Sequence, residues 1–381
     1  MQKFWLKLIA YISPFALIFI LVTGYLIYIG ESMPLAWVAN TQSEVAPSLF
    51  RNLYGNRDYA YKLYNIRLRE PEIIALGSSR VLQIRDGFFN KNPEAFYNAG
   101  APAWQLEEVY DLVKAIPKEQ LPEVILLGID FPWFNPDYPA APETVSVNDW
   151  ENLFLVNRAF IQDLLLGDDF NLEALSKRIE PGSESALALG IKAIRDGHGF
   201  RNDGSEQYGD FLVAQWLSQA SERERHLALM RSGGEMYVYG DVVDQTAINM
   251  LDDLLDYANE NNFIIIGFFP QYMPSLWEEM MHSGHYAYIP QAKESIESAF
   301  NLHGFPIFDY SNGAWIGTTD EEFFDGWHAS ELANLRQYRH LLSYTESILG
   351  DYSDDAGLAR IENAAISTWD VFGLAPYKED D

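Results

Sequence analysis

Ser79, His328 and Asp325 are the residues of this chain whose types and spacing point to nucleophilic chemistry. A serine hydroxyl is a weak nucleophile at its own pKa. It reacts when a histidine within hydrogen-bond reach takes its proton and a carboxylate holds the imidazole in the right tautomer. The serine stands in Gly77-Ser78-Ser79-Arg80, and the other two stand in Asp325-Gly326-Trp327-His328, near the far end of the chain. With the two only three positions apart, a tight turn or a first helical turn directs Asp325 and His328 toward one region. The rest of the fold must then carry the serine to them.

The elements that would do so can be read from apolar runs. Ile73-Ile74-Ala75-Leu76 has the composition of a strand buried on both faces, and it stops at the small residues Gly77-Ser78-Ser79. The ends of such strands are where α/β sheets gather their chemistry. Further strands are expected at Ala95–Tyr97, Val124–Ile129, Phe263–Phe269 and Pro306–Asp309. A helix is expected from Gln105 to Ile116, stopped by Pro117, and another places Leu251, Leu254, Leu255 and Ala258 on one face. Strands alternating with helices predict a parallel, doubly wound sheet. Between Pro132 and about Gly240 the rhythm is lost, so an insertion at about 136–240 is expected to cap the site. Its stretch Gly197–Ser205, with His198, Arg201 and Asp203, has the look of a solvated turn.

At these positions the chain resembles the SGNH (GDSL-like) hydrolase superfamily, whose sequences carry four short blocks. Gly77-Ser78-Ser79 is similar to the first block, with Ser79 at the nucleophile and Ser78 where aspartate is usual. Asn98-Ala99-Gly100 is similar to the second, and Asp325 and His328 meet the last. The third departs: Gly128-Ile129-Asp130 puts an aspartate where the family has asparagine. The resemblance implies a three-layer α/β fold, an oxyanion hole formed by the Ser79 and Gly100 amides, and no cofactor. An ionised carboxylate can only accept hydrogen bonds, so Asp130 does not replace the asparagine amide. An ion pair of Asp130 with Arg80 is the expected resolution, leaving guanidinium N–H groups toward the acyl oxygen or an anionic ligand. The likeness is greatest to the membrane-tethered branch that includes DltD-like and alginate-acetylation proteins. That branch implies O-acyl exchange on an envelope or secreted polysaccharide, with the acyl donor delivered by a multi-span membrane acyltransferase.

From Leu8 to Gly30 the chain is apolar and free of charge, long enough as a helix to cross a hydrocarbon layer of roughly 30 Å. Lys3 and Lys7 precede it and Glu31 follows, so the N-terminus is expected in the cytoplasm and the rest of the chain outside. A cleaved signal peptide is the alternative, but Trp37-Val38-Ala39 is a poor cleavage site. Residues 1–30 are thus expected as an anchor, 31–70 as a juxtamembrane linker and helix, 71–350 as the catalytic domain, and 351–381 as an acidic tail. A formal net charge of −29 argues against nucleic acid as a partner. The absence of cysteine excludes disulfides and thiolate chemistry.

Other readings stand beside this one. Gly77-Ser78-Ser79 would also make an anion nest without chemistry, and Asp325 to His328 would also make a capped helix start. The chain would then be a membrane-anchored binding or assembly protein, with Trp104, Trp133, Trp150, Trp277 and Trp327 as possible sugar-stacking faces. A lipase or thioesterase is a third option. His226, in the run Ser221-Glu222-Arg223-Glu224-Arg225, is expected on a solvated helix face. His282 and His285 lack a third ligand for a metal, and His303 and His340 are expected as surface or capping residues.

Overall fold

The computed structural model describes residues 2–55, 57–101, 103–139, 149–166, 186–209 and 219–373. The chain opens with helix α1, Gln2–Tyr28. Its segment Lys3–Tyr28 is long and apolar enough to cross a membrane. Pro14 lies inside α1 without ending it. Immediately after, the buried carboxylate of Glu31 accepts the amides of Leu53, Tyr54 and Ile191 at 2.8–3.1 Å, tying the exit of α1 to the folded body.

The stretch expected as a linker is largely folded. It forms α2 (Leu35–Glu44), β1 (Ser48–Phe50) and α3 (Asp58–Arg69). Strands β2 (Ile73–Leu76) and β3 (Phe96–Asn98), helix α4 (Leu106–Ala115) and β4 (Val124–Gly128) follow where the apolar runs put them. Next come α5 (Asp149–Leu166), β5 (Leu187–Leu189), α6 (Ile191–Asp196), β6 (Gly199–Phe200), β7 (Glu206–Gln207) and α7 (Gln219–Ser232). The chain continues through α8 (Gln245–Asn261), β8 (Ile264–Phe269), α9 (Pro274–His282), α10 (Tyr288–His303), β9 (Ile307–Asp309), α11 (Glu331–Leu349) and α12 (Asp355–Ala364).

Five strands form one sheet in the order β3-β2-β4-β8-β9, all parallel. Both faces are covered, which is why the central strands β2, β4 and β8 carry no polar side chain. Ile74, Leu76, Ile125, Leu127 and Ile265 pack in one cluster with Val109, Leu112, Leu251, Leu255 and Ile296 of α4, α8 and α10. Ile73, Ala75, Val124, Leu126 and Ile266 pack in another with Leu335, Leu341, Leu342 and Leu358 of α11 and α12. The strand order reverses between β2 and β4, and at such a switch point the connections leaving the two carboxyl ends part and open a crevice.

A second sheet, β5-β1-β6-β7, was not expected. It joins the segment next to α1 to the insertion: β1 pairs in parallel with β5 and antiparallel with β6. Gly197–Ser205 is accordingly no solvated turn. Arg201, Asp203 and Ser205 are buried. Asp203 holds Arg85 at 2.9 Å, and Glu331 lies 3.3 Å from Arg85 and 3.8 Å from Arg201. The reason is tertiary: four ionisable groups from three parts of the chain satisfy one another, so their polarity does not keep them at the surface. The tail from 351 is ordered as α12 and its approach, with Leu358 buried. Its last residues, and the Trp150 side chain, lie outside the described part.

Candidate active site

Ser79 opens a 3-10 turn, Ser79–Val81, directly beyond the carboxyl end of β2. Gly77 makes the turn possible. Its φ is +151°, and a Cβ there would stand 2.8 Å from the carbonyl oxygen of Gly128, at the end of the neighbouring β4. Ser78 accepts the Arg80 amide through its hydroxyl at 3.3 Å, fixing the turn's start.

His328 and Asp325 sit in a tight turn before α11, closed by the Phe324 amide donating to the His328 carbonyl at 3.0 Å. Asp325 Oδ1 accepts the amides of Trp327 and His328, both at 2.7 Å. The other oxygen, Oδ2, is thereby aimed at His328 Nδ1, 2.8 Å away. His328 Nε2 lies 2.7 Å from Ser79 Oγ. The fold has brought together groups 249 residues apart. With Asp325 accepting Nδ1–H, Nε2 is left as an acceptor for the serine proton. About a fifth of the His328 side chain, 21%, stays exposed, so the site is open to a ligand.

Burial favours the neutral form of His328, but the Asp325 carboxylate outweighs it, with Glu206 adding, so its pKa is raised above the ordinary 6.5. For Asp325, burial works upward and is overcome by the charge and hydrogen bonds of His328, so its carboxyl is held well below the usual range. Glu206, on β7, is a further anion of the site. Burial pushes its pKa up, but Arg51 beside it at 3.3 Å and His198 at 2.9 Å hold it at about 2.

Arg80 and Asp130 form the expected pair, Nη1 to Oδ1 at 2.7 Å, with side chains only 1% and 2% exposed. The guanidinium does not present a fork to a ligand, however. Nη2 donates to the carbonyls of Pro270 (2.8 Å) and Gln271 (2.5 Å), beyond the end of β8. The plane lies over the rings of Tyr272 and Trp327, 4.0 and 4.4 Å from their centroids. Arg80 thus braces the Asp325–His328 turn through Trp327. Nε of Arg80 and Oδ2 of Asp130 are buried without a hydrogen-bond partner among the described residues.

Gly100 differs from expectation as well. Its amide donates to Asn98 Oδ1 at 2.9 Å and is not free for an oxyanion. Asn98 in turn donates through Nδ2 to the carbonyls of Val81 and Ile84, at 2.8 and 2.9 Å, so it holds the Ser79 turn. Of the two expected oxyanion donors, the Ser79 amide alone makes no hydrogen bond among the described residues.

Sequence reasoning missed His226. It is buried on α7, Nδ1 at 2.9 Å from the Tyr237 hydroxyl and Nε2 at 3.5 Å from Asp325 Oδ2. Burial holds its pKa below the ordinary 6.5, against the raising charge of Asp325. The faint signal was the i,i+4 pair His226 and Met230, both buried, hidden by the charges before them. Tyr208 was also missed; its ring stacks on Phe324 and meets His328 edge-on at 6.4 Å. Trp133 and Trp327 belong to the core, whereas Trp104 is exposed. His282 and His303 bond carbonyls one turn back, His285 stacks on Tyr239, and His340 meets Tyr310. Among the described residues no group of His, Asp and Glu is arranged to hold a metal. Comparisons with family models, with curated proteins and with solved structures return no match.

Proposed function

We propose that this protein is a serine esterase or O-acyl transferase of SGNH type that acts outside the cytoplasm on an ester-bearing polysaccharide. The observation that carries the reading is the continuous chain Ser79 Oγ–His328 Nε2–Nδ1–Asp325 Oδ2, with steps of 2.7 and 2.8 Å, at the carboxyl end of a parallel sheet. The strand order β3-β2-β4-β8-β9 and the position of Asn98-Ala99-Gly100 after β3 agree with it.

In the first half-reaction His328 Nε2 takes the Ser79 proton as Oγ bonds to the ester carbonyl carbon, and the carbonyl oxygen becomes an oxyanion facing the Ser79 amide. Collapse breaks the bond to the alcohol oxygen. The alcohol leaves with the proton from Nε2, and Ser79 is acylated. Water or a sugar hydroxyl then gives its proton to His328 and takes the acyl group, restoring Ser79. Asp325 stabilises the imidazolium in both halves without accepting its proton. The O-acetyl class of substrate, the outward orientation of the domain and a membrane-borne acyl donor follow from the sequence resemblance and from Lys3 and Lys7 before α1.

A second reading is favoured by one observation: with the Gly100 amide engaged and Asp130 in place of an amide donor, the oxyanion site is thin. Losing one donor costs on the order of 100 to 1000 in turnover. On that reading the chain is a membrane-anchored polysaccharide-binding protein. Hydrolysis of nitrophenyl esters of graded chain length by the full protein tests the choice, with Ser79→Ala as control. Serine-dependent turnover highest on the acetyl ester supports the enzyme. A preference for long chains supports a lipase, and turnover equal in the two proteins rejects the proposal.

A further inference from the structure

Helix α5 lies against the half of α1 nearest the folded body. Leu26 and Ile29 cluster with Val156, Phe160 and Ile191, and Tyr25 meets Phe160 at 6.0 Å between ring centroids. The polar groups of α5 on that side have partners. Asn157 bonds Thr23 at 3.1 Å and the Leu153 carbonyl at 2.8 Å, and Asp163 accepts the Tyr54 hydroxyl at 2.6 Å. On its other side Phe154, Leu155, Leu164, Leu165 and Leu166 are exposed, the last two at 73% and 77%. Between the helices Phe19 of α1 and Phe154, Ile161, Leu165 and Leu166 of α5, with Asn157, Arg158 and Gln162 beside them, line a groove of about 520 Å³.

Position along α1 decides what covers this face. At 1.5 Å per residue, Thr23 lies about 8 Å and Phe19 about 14 Å from Tyr28, which ends the helix. If α1 crosses a membrane, both depths fall within the hydrocarbon of the leaflet nearer the body, and α5 packs there. We infer that α5 is a second membrane element: it sits in that leaflet beside the anchor, with Phe154, Leu155 and Leu164–Leu166 in lipid. Exposed Arg158, which lines the same groove, would extend its charge on its long stem toward the headgroups. The inference rests on α1 being in the bilayer and is independent of the chemistry proposed for Ser79. Its consequence is orientational. Two helices in contact hold the body at one tilt, whereas a single span leaves it free to swivel.

The chain has no cysteine, so an introduced thiol is a unique probe site. Bimane is attached to Phe154→Cys, Leu165→Cys, Leu17→Cys and Leu302→Cys in the full chain, reconstituted in phosphatidylcholine vesicles with or without doxyl-labelled lipid. All four positions are exposed, so the substitutions leave the packing intact. The expected result is loss of fluorescence to doxyl lipid at 154 and 165 as at 17, with protection from aqueous iodide, and the reverse at 302. Quenching by lipid at 17 alone, with 154 and 165 open to iodide, overturns the inference while the anchor stands. Positions 154 and 165 shielded from both quenchers would mean cover by a second copy, which also overturns it.

Discussion

Two histidines approach Asp325 Oδ2: His328 Nδ1 at 2.8 Å and His226 Nε2 at 3.5 Å. His226 is locked by the Tyr237 hydroxyl, and Gly326 leaves no room for this group to shift. A Cβ there would stand 2.9 Å from His226 Cβ and 3.1 Å from the Tyr237 oxygen. The carboxylate is therefore held by its own turn and backed by His226, whose Nε2 also meets Arg225 Nη2 at 3.3 Å.

His226→Phe removes that support while keeping the volume filled. A misplacement of about 1 Å near the reacting groups costs on the order of 100-fold. The expected outcome is a fall in kcat of that order with KM unchanged and the circular dichroism spectrum retained. Steady-state kinetics check it, and a rise in KM at constant kcat would assign His226 to the binding surface instead.

The pH profile follows from His328. In the proposed chemistry it acts as a base only when neutral, and its pKa is raised, so the ascending limb of kcat/KM is expected to have its midpoint above 6.5. Asp325→Asn removes the raising charge, so the midpoint moves down while turnover drops on the order of 10,000-fold. Folding stability has its own sign. A folded-state pKa above the unfolded value favours the protonated fold, so this contribution is fully present below about pH 6.5 and is lost as pH rises through the raised pKa.

Arg80 and Asp130 were foreseen as a pair, and their role is bracing. Asp130→Asn leaves a buried guanidinium without its counter-charge, which costs about 3 kcal/mol. Thermal unfolding is expected to show a clear drop in Tm, with ester hydrolysis no higher than in the parent. Unchanged Tm with raised hydrolysis would mean that the pair is dispensable.

Gly77→Ala tests the nucleophile turn. The added Cβ meets the Gly128 carbonyl at 2.8 Å and the backbone there is in a region disfavoured for alanine. A loss of about 1–3 kcal/mol is expected, together with slower acylation of Ser79, read by denaturant unfolding and by burst kinetics.

The five-stranded sheet was legible because its strands are continuous apolar runs, and Ser79, Asn98 and Asp130 were legible as strand-end residues. The second sheet was not: β6 and β7 are two residues each, and β1 finds its partner Leu187–Leu189 far along the chain. Short strands carry too little period to be recognised. Arg201, Asp203 and His226 misled for one reason. A polar residue satisfied by distant partners has the same local sequence as one satisfied by water. The Gly100 amide misled differently, since the acceptor that engages it, Asn98, is part of the same motif.

The most direct measurement is covalent. Full-length protein in detergent is treated with a fluorophosphonate, which modifies a serine only when a base has activated it, and the adduct is located by peptide mass spectrometry. A single adduct on Ser79 is expected, abolished in His328→Ala and strongly slowed in Asp325→Asn. Failure of the intact protein to label, or labelling of Ser79 that persists at full rate in His328→Ala, would contradict it.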